Sequence, residues 1–97
     1  MHDSSAAMTT KYRVPTEVRF RELGDEAVLL HLESGEYFGL NEVGTRMWNA
    51  LIEHRAVEPV VTELSRVYDV SKSQLRRDLL ALVSSLREQR LLEIDEG

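Results

Sequence analysis

The stretch Gly35-Glu36-Tyr37-Phe38-Gly39-Leu40-Asn41-Glu42-Val43-Gly44-Thr45-Arg46-Met47-Trp48 decides the fold. Ser34-Gly35 is a turn pair that opens a short strand, Glu36–Leu40, rich in aromatic side chains. Asn41 then stands where a helix needs its N-cap, with a side-chain oxygen to accept an orphan backbone N–H. Val43, Met47, Ala50, Leu51 and His54 come next at helical spacing, and Trp48 and Ile52 widen the stripe. One residue separates strand from helix, so the two elements must be rigidly joined. Strands are expected upstream of this corner and helices downstream.

Upstream, Val18-Arg19-Phe20-Arg21 alternates apolar with charged, the period of a half-buried strand. Gly24-Asp25 marks a turn. Ala27-Val28-Leu29-Leu30-His31-Leu32 is nearly continuous in apolar character, which predicts a central strand covered on both faces. Two short turns in succession make a three-stranded antiparallel meander with Glu36–Leu40 on an edge. The first eleven residues, small and polar around Ser4-Ser5-Ala6-Ala7 and Thr9-Thr10, read as a disordered tail. Met8 is an alternative start.

Downstream, helix one is expected over about 42–53. Helix two starts near Val57, with Pro59 tolerated in the first turn and Val57, Val60, Val61, Leu64 and Tyr68 on its inner face. Asp69-Val70 breaks it. Ser71 and Gln74 form a capping box for a long third helix reaching about Arg90. Leu75, Leu79, Leu82 and Leu86 occupy an arc of roughly 60° and are its expected core face. Arg76, Leu80, Val83, Arg87 and Arg90 lie beside that arc as a second stripe, part apolar and part cationic. Leu91-Leu92-Glu93-Ile94 adds a short closing strand, and residues 95–97 should fray. The fold class is therefore α+β: a winged helix-turn-helix, with a three-stranded antiparallel sheet followed by a three-helix bundle, ordered over residues 12–94.

Composition narrows the function. Ninety-seven residues make one domain, burying roughly 60–65% of its unfolded surface. There is no cysteine, hence no disulfide, thiol nucleophile or Cys-based zinc site, as suits a reducing cytoplasm. No apolar run approaches the roughly 18–20 residues of a membrane span. His2, His31 and His54 share no ligand spacing, the carboxylates form no evident acid/base pair, and the glycines make no phosphate-cradling loop. No catalytic residue, metal site or cofactor is read, and the chain is not expected to be an enzyme. Lys72, Arg76 and Arg77 on a third helix suggest DNA recognition as one alternative, but the net charge of −5 argues against a nucleic-acid partner. The edge strand is more informative. Proteins blunt open edges with Pro, Lys or bulges. Glu36–Leu40 carries Tyr37 and Phe38 instead, and Gly39 permits close backbone approach. Either Ile94 or the N-terminal segment covers this edge, or a peptide or a second copy of the chain pairs with it.

The pattern Gly35-x-Tyr37-x-x-Leu40-Asn41-x-x-Gly44-x-x-x-Trp48 resembles the PqqD-like family, whose domain is also called the RiPP recognition element. Glu63-Leu64, Tyr68-Asp69-Val70-Ser71, Asp78, Leu86 and Leu91-Leu92 fit it as well. The resemblance implies a non-catalytic binder of the leader segment of a ribosomally made precursor peptide. The leader would add as a strand to Glu36–Leu40 and lie against Arg76, Leu80, Val83 and Arg87. By the same resemblance, a leader peptidase and a maturation enzyme (a cyclase) are the further partners. Founding members serve pyrroloquinoline quinone synthesis, where an aspartate-glycine pair typically follows the first helix. Glu53-His54-Arg55 stands there instead, so the free-standing proteins of lasso peptide biosynthesis look closer than carriers of the quinone precursor.

Overall fold

The structure is a computed structural model that describes residues 10–96. Residues 1–9 of the expected tail, and Gly97, lie outside the described residues. In chain order the elements are β1 (Tyr12–Arg13), β2 (Val18–Leu23), β3 (Glu26–His31), β4 (Tyr37–Leu40), α1 (Glu42–His54), α2 (Val57–Leu64), α3 (Lys72–Glu88) and β5 (Glu93–Ile94). β2, β3 and β4 form an antiparallel meander with β3 in the centre, as the turn spacing predicts. β1 and β5 pair separately, Tyr12 opposite Ile94 and Arg13 opposite Glu93. The closing strand therefore pairs with β1 and not with β4, whose outer edge carries no strand among the described residues.

One face of the meander carries the core. Val18, Ala27, Leu29, His31 and Leu40 are buried there against Met47, Trp48 and Leu51 of α1, Val60, Val61 and Leu64 of α2, and Leu75, Leu79 and Leu86 of α3. Phe20 stacks on Trp48, with ring centroids 5.9 Å apart. β3 is not covered on both faces as its apolar run suggests. Its burial alternates residue by residue, and Val28 and Leu30 on the outer face stay partly exposed. All three helices lie on the same side, so an apolar run here marks a second, uncovered face.

The helix signals are met with three amendments. Asn41 Oδ1 accepts the Gly44 N–H at 2.8 Å, and the Thr45 hydroxyl reaches back to the Leu40 carbonyl, fastening β4 to α1. Ser71 Oγ accepts the Gln74 N–H at 3.1 Å, but the Gln74 side chain donates to Asp78 instead of returning to the cap, so only half of the box forms. α2 stops at Leu64, short of Tyr68. Four of its eight residues are valine or threonine, which hold a helix poorly, and bonds of i to i+3 type from Arg66 and Val67 tighten the chain beyond it. The third amendment concerns α3. Its buried residues are Leu75, Leu79, Val83 and Leu86, while Leu82 is only partly buried. The helix is rolled so that the core arc, roughly 80° wide, ends on Val83. Val83 is 4% exposed and belongs to the core, not to the stripe beside the core arc where its spacing placed it.

Two residues beyond its last turn, α3 is closed off by Arg90, which takes a left-handed φ of 60°. The Leu91 N–H bonds the Leu86 carbonyl at 2.8 Å and the Arg90 N–H bonds that of Arg87 at 3.0 Å, the two bonds of a Schellman motif. An L-residue is disfavoured in this conformation by about 1 kcal/mol. Arg90→Gly should accordingly raise unfolding stability by up to about 1 kcal/mol in urea denaturation, and Leu79→Ala should lower it by roughly 2–5 kcal/mol through a core cavity. A destabilised Arg90→Gly variant would mean that the Arg90 side chain contributes contacts worth more than the strain.

Candidate functional site

The site begins with the turn into β4. Gly35 has a φ of 76°, open to glycine at little cost. Its N–H donates to the His31 carbonyl at 2.7 Å, and the His31 N–H donates to the Glu36 carbonyl at 3.0 Å. Two residues thus oppose one, a glycine-led bulge. Glu36 joins the ladder through this bond but precedes the strand proper, which runs Tyr37–Leu40.

The bulge sets the phase of the strand beyond it. Bonded and non-bonded pairs alternate along an antiparallel ladder. With His31 bonded to Glu36, the pair Leu29–Phe38 faces inward in the plane of the sheet. The N–H and C=O groups of Tyr37 and Gly39 then point outward along the free edge. The side chains divide the other way. Phe38 and Leu40 turn to the core face, and Tyr37 stands on the outer face, 74% exposed.

A second feature runs along α3. A hollow of about 430 Å³ is lined by Tyr12, Leu80, Val83, Ser84, Arg87 and Glu88. Leu80 is 45% exposed, and buried Val83 forms the floor. Arg87 enters no ion pair among the described residues. Tyr12 is invisible to helical periodicity because it reaches the hollow from another strand. Arg76 is committed elsewhere: its Nε and Nη2 donate to the two carboxylate oxygens of Glu58 at 2.7 and 2.8 Å. The hydrogen-bonded guanidinium holds the Glu58 carboxyl below its usual value of 4.5, against a smaller opposing effect of burial. The structure thus brings Leu80, Val83 and Arg87 together and sets Arg76 apart in a pair between α2 and α3. None of the residues lining this hollow comes from β4.

A third surface is the outer face of the meander. Arg19, Arg21, Leu23, Val28, Leu30 and Tyr37 line a hollow of about 710 Å³ there. The alternation of β2 places Arg19 and Arg21 on one face. Leu23 and Tyr37 are exposed there, and Val28 and Leu30 are half-buried.

The profile of the family described as Coenzyme PQQ synthesis protein D (PqqD) matches residues 26–92, from β3 to the end of the Schellman turn. The chain belongs to the PqqD family. Two solved structures share the fold. One, described as TbiB1 in complex with the TbiA(beta) leader peptide, is 37% identical with a TM-score of 0.79, over 84% of this chain and 94% of that one. The other, lasso peptide synthetase B1 complexed with the leader peptide, is 29% identical with a TM-score of 0.79, over 86% of this chain and 98% of that one. No curated protein matches the sequence. Among the described residues of this PqqD-family chain, no helix is long and apolar enough to cross a membrane.

The Glu58–Arg76 pair gives a pH prediction. A carboxyl whose folded pKa is depressed contributes stability that is present above its unfolded pKa, and that stability is lost as pH falls through the folded value. Wild type should therefore exceed Glu58→Gln in stability near neutral pH, and the difference should close as pH falls below 4.5. Denaturant titrations of both proteins across that range check it. A difference that stays constant down to strongly acid pH would mean that the pair is not what Glu58 contributes.

Proposed function

We propose that this protein binds the leader segment of a ribosomally synthesised precursor peptide, of lasso type, and presents it without catalysis to a leader peptidase and a cyclase. The observation that carries the reading is the open edge of β4. It offers two outward backbone N–H groups and two outward carbonyls, on Tyr37 and Gly39, in a chain 37% identical to a protein solved with a leader peptide. Such an edge accepts an added strand through main-chain hydrogen bonds, and neighbouring pockets select side chains. Glu36, Tyr37, Phe38, Gly39 and Leu40 form the strand template. Leu80 and Arg87 contact the leader from α3 over the floor made by Val83. Arg76 acts on the site only by holding α3 against α2 through Glu58.

In this reading α2, the turn after it and α3 make a helix-turn-helix with the meander as its wing. The helix that would read DNA in such a fold is here one wall of a peptide groove. The peptidase uses the outer face of the meander. That face adjoins the leader edge, since Tyr37 belongs to both, and it is apolar enough to seat a partner. Holding the leader there raises the effective concentration of the attached core peptide at the enzymes. Glu53-His54-Arg55 at the end of α1 favours a lasso leader over a quinone-precursor leader, and titrating the protein with both kinds of peptide separates the two.

Two measurements test the site. On leader binding, hydrogen exchange should slow at the Tyr37 and Gly39 amides, which gain partners, and change little at Phe38, already bonded to Leu29. Unchanged exchange at Tyr37 and Gly39 in a saturated complex would move the peptide off this edge. Leu80→Glu should alter stability by less than ~0.5 kcal/mol, as at most exposed positions. It should weaken leader binding by ~2 kcal/mol or more, about thirtyfold, the scale of a buried anchor. Arg87→Glu should weaken binding less, and in a salt-dependent way. Unaltered binding by Leu80→Glu would remove α3 from the groove.

A further inference from the structure

The corner between α1 and α2 holds a cluster that peptide binding does not use. Glu53 and His54 are the last two residues of α1, and Glu63 lies in the last turn of α2. His54 and Glu63 stand nine positions apart in sequence, so no spacing motif reveals them. The fold nevertheless sets His54 Nε2 2.7 Å from Glu63 Oε1. One donor atom from each of Glu53, His54 and Glu63 falls within 4.8 Å of the other two.

We propose that Glu53, His54 and Glu63 form a binding site for a zinc-type divalent cation that ties α1 to α2. One imidazole nitrogen and two carboxylate oxygens supply three protein ligands, which leaves a fourth, tetrahedral position for water. The imidazole directs selectivity. Magnesium and calcium prefer all-oxygen shells, whereas imidazole suits zinc and the later first-row metals. The surrounding field is favourable. The site stands at the C-terminal end of α1, where the helix dipole and the last carbonyls attract a cation. The neighbouring Arg55 would oppose this, but its guanidinium is paired with the Asp95 carboxylate and bonds the Tyr12 carbonyl. Access is open, since the side chains of His54 and Glu63 are 29% and 45% exposed. A hollow of about 400 Å³, lined by Lys11, His54, Arg55, Asp95 and Glu96, borders the imidazole.

The alternative is that the His54–Glu63 hydrogen bond is all the cluster does, joining the helices with a proton where the proposal puts a cation. Calorimetric titration of the full chain with zinc chloride, with thermal unfolding in zinc and in magnesium, separates the two. The expected result is saturable binding of one zinc per chain and a rise in Tm with zinc that magnesium at the same concentration does not give. His54→Ala should weaken zinc binding at least ~10-fold, since even outer partners of metal ligands are worth that much. Glu53→Gln, at an exposed position outside the hydrogen bond, should weaken it too without perturbing the fold. His2→Ala should leave it unchanged. Absence of binding at millimolar zinc, or binding unaltered in both His54→Ala and Glu53→Gln, would overturn the site and leave the peptide-binding reading untouched.

Discussion

Leu40 ends a strand and Asn41 caps a helix, and the rest of the structure depends on that joint. The Leu40 side chain is buried, its carbonyl takes the Thr45 hydroxyl, and the next residue satisfies the Gly44 N–H. A longer linker would let β4 peel from β3 or swing against another element. The direct joint holds the strand at a fixed height above α1 instead. Gly44 belongs to this joint, because a β-carbon there would stand 3.2 Å from Asn41 Oδ1 and 3.3 Å from a Leu40 methyl. At the other end, the bulge at Gly35 fixes the register. Between these two constraints only four residues of strand remain, and their outward amides are set without any partner to hold them.

Among the described residues this edge is open, and the terminal strands are engaged elsewhere. β1 and β5 pair with each other, and Asp95 donates its N–H to the Lys11 carbonyl. Arg13 bonds Glu93 at 2.6 Å, and Arg55, at the end of α1, reaches both the Tyr12 carbonyl and Asp95. Backbone pairing and ion pairs together hold the two terminal segments against the α1 corner. Among the described residues neither β1 nor β5 adds to the meander. The exposed pairs add little individually; their use is to give the terminal strands a better place than the edge of β4.

Much of this was legible in the residues. Turn pairs, caps and period gave the meander, the three helices and the edge position of β4, because each is a local signal. What failed was tertiary. The sequence of β3 is apolar on both sides, and nothing within it says that the helices all pack on one face. The leucine repeat of α3 is indifferent to a roll of some tens of degrees, and Val83 as well as Leu82 satisfies the period. Packing in the common core chose Val83. Arg76 read as part of the leader-facing stripe because its partner, Glu58, lies on another helix. Tyr12 lines the α3 hollow from a two-residue strand that no pattern marks. The family resemblance supplied the function but could not correct these contacts.

The division of labour in the proposed complex is a matter of magnitudes. Four main-chain hydrogen bonds at Tyr37 and Gly39 are worth about 2–6 kcal/mol net, taking 0.5–1.5 for each. Ordering even five leader residues costs about 5–10 kcal/mol in backbone entropy. The edge alone therefore does not hold a flexible peptide. Burying apolar leader side chains in the α3 hollow, at about 1.5–3 kcal/mol apiece, is what tips the balance. The same arithmetic predicts sequence tolerance in the proposed complex. The strand template accepts any sequence that can extend, and only the few side chains that meet Leu80, Tyr12 and Arg87 are read.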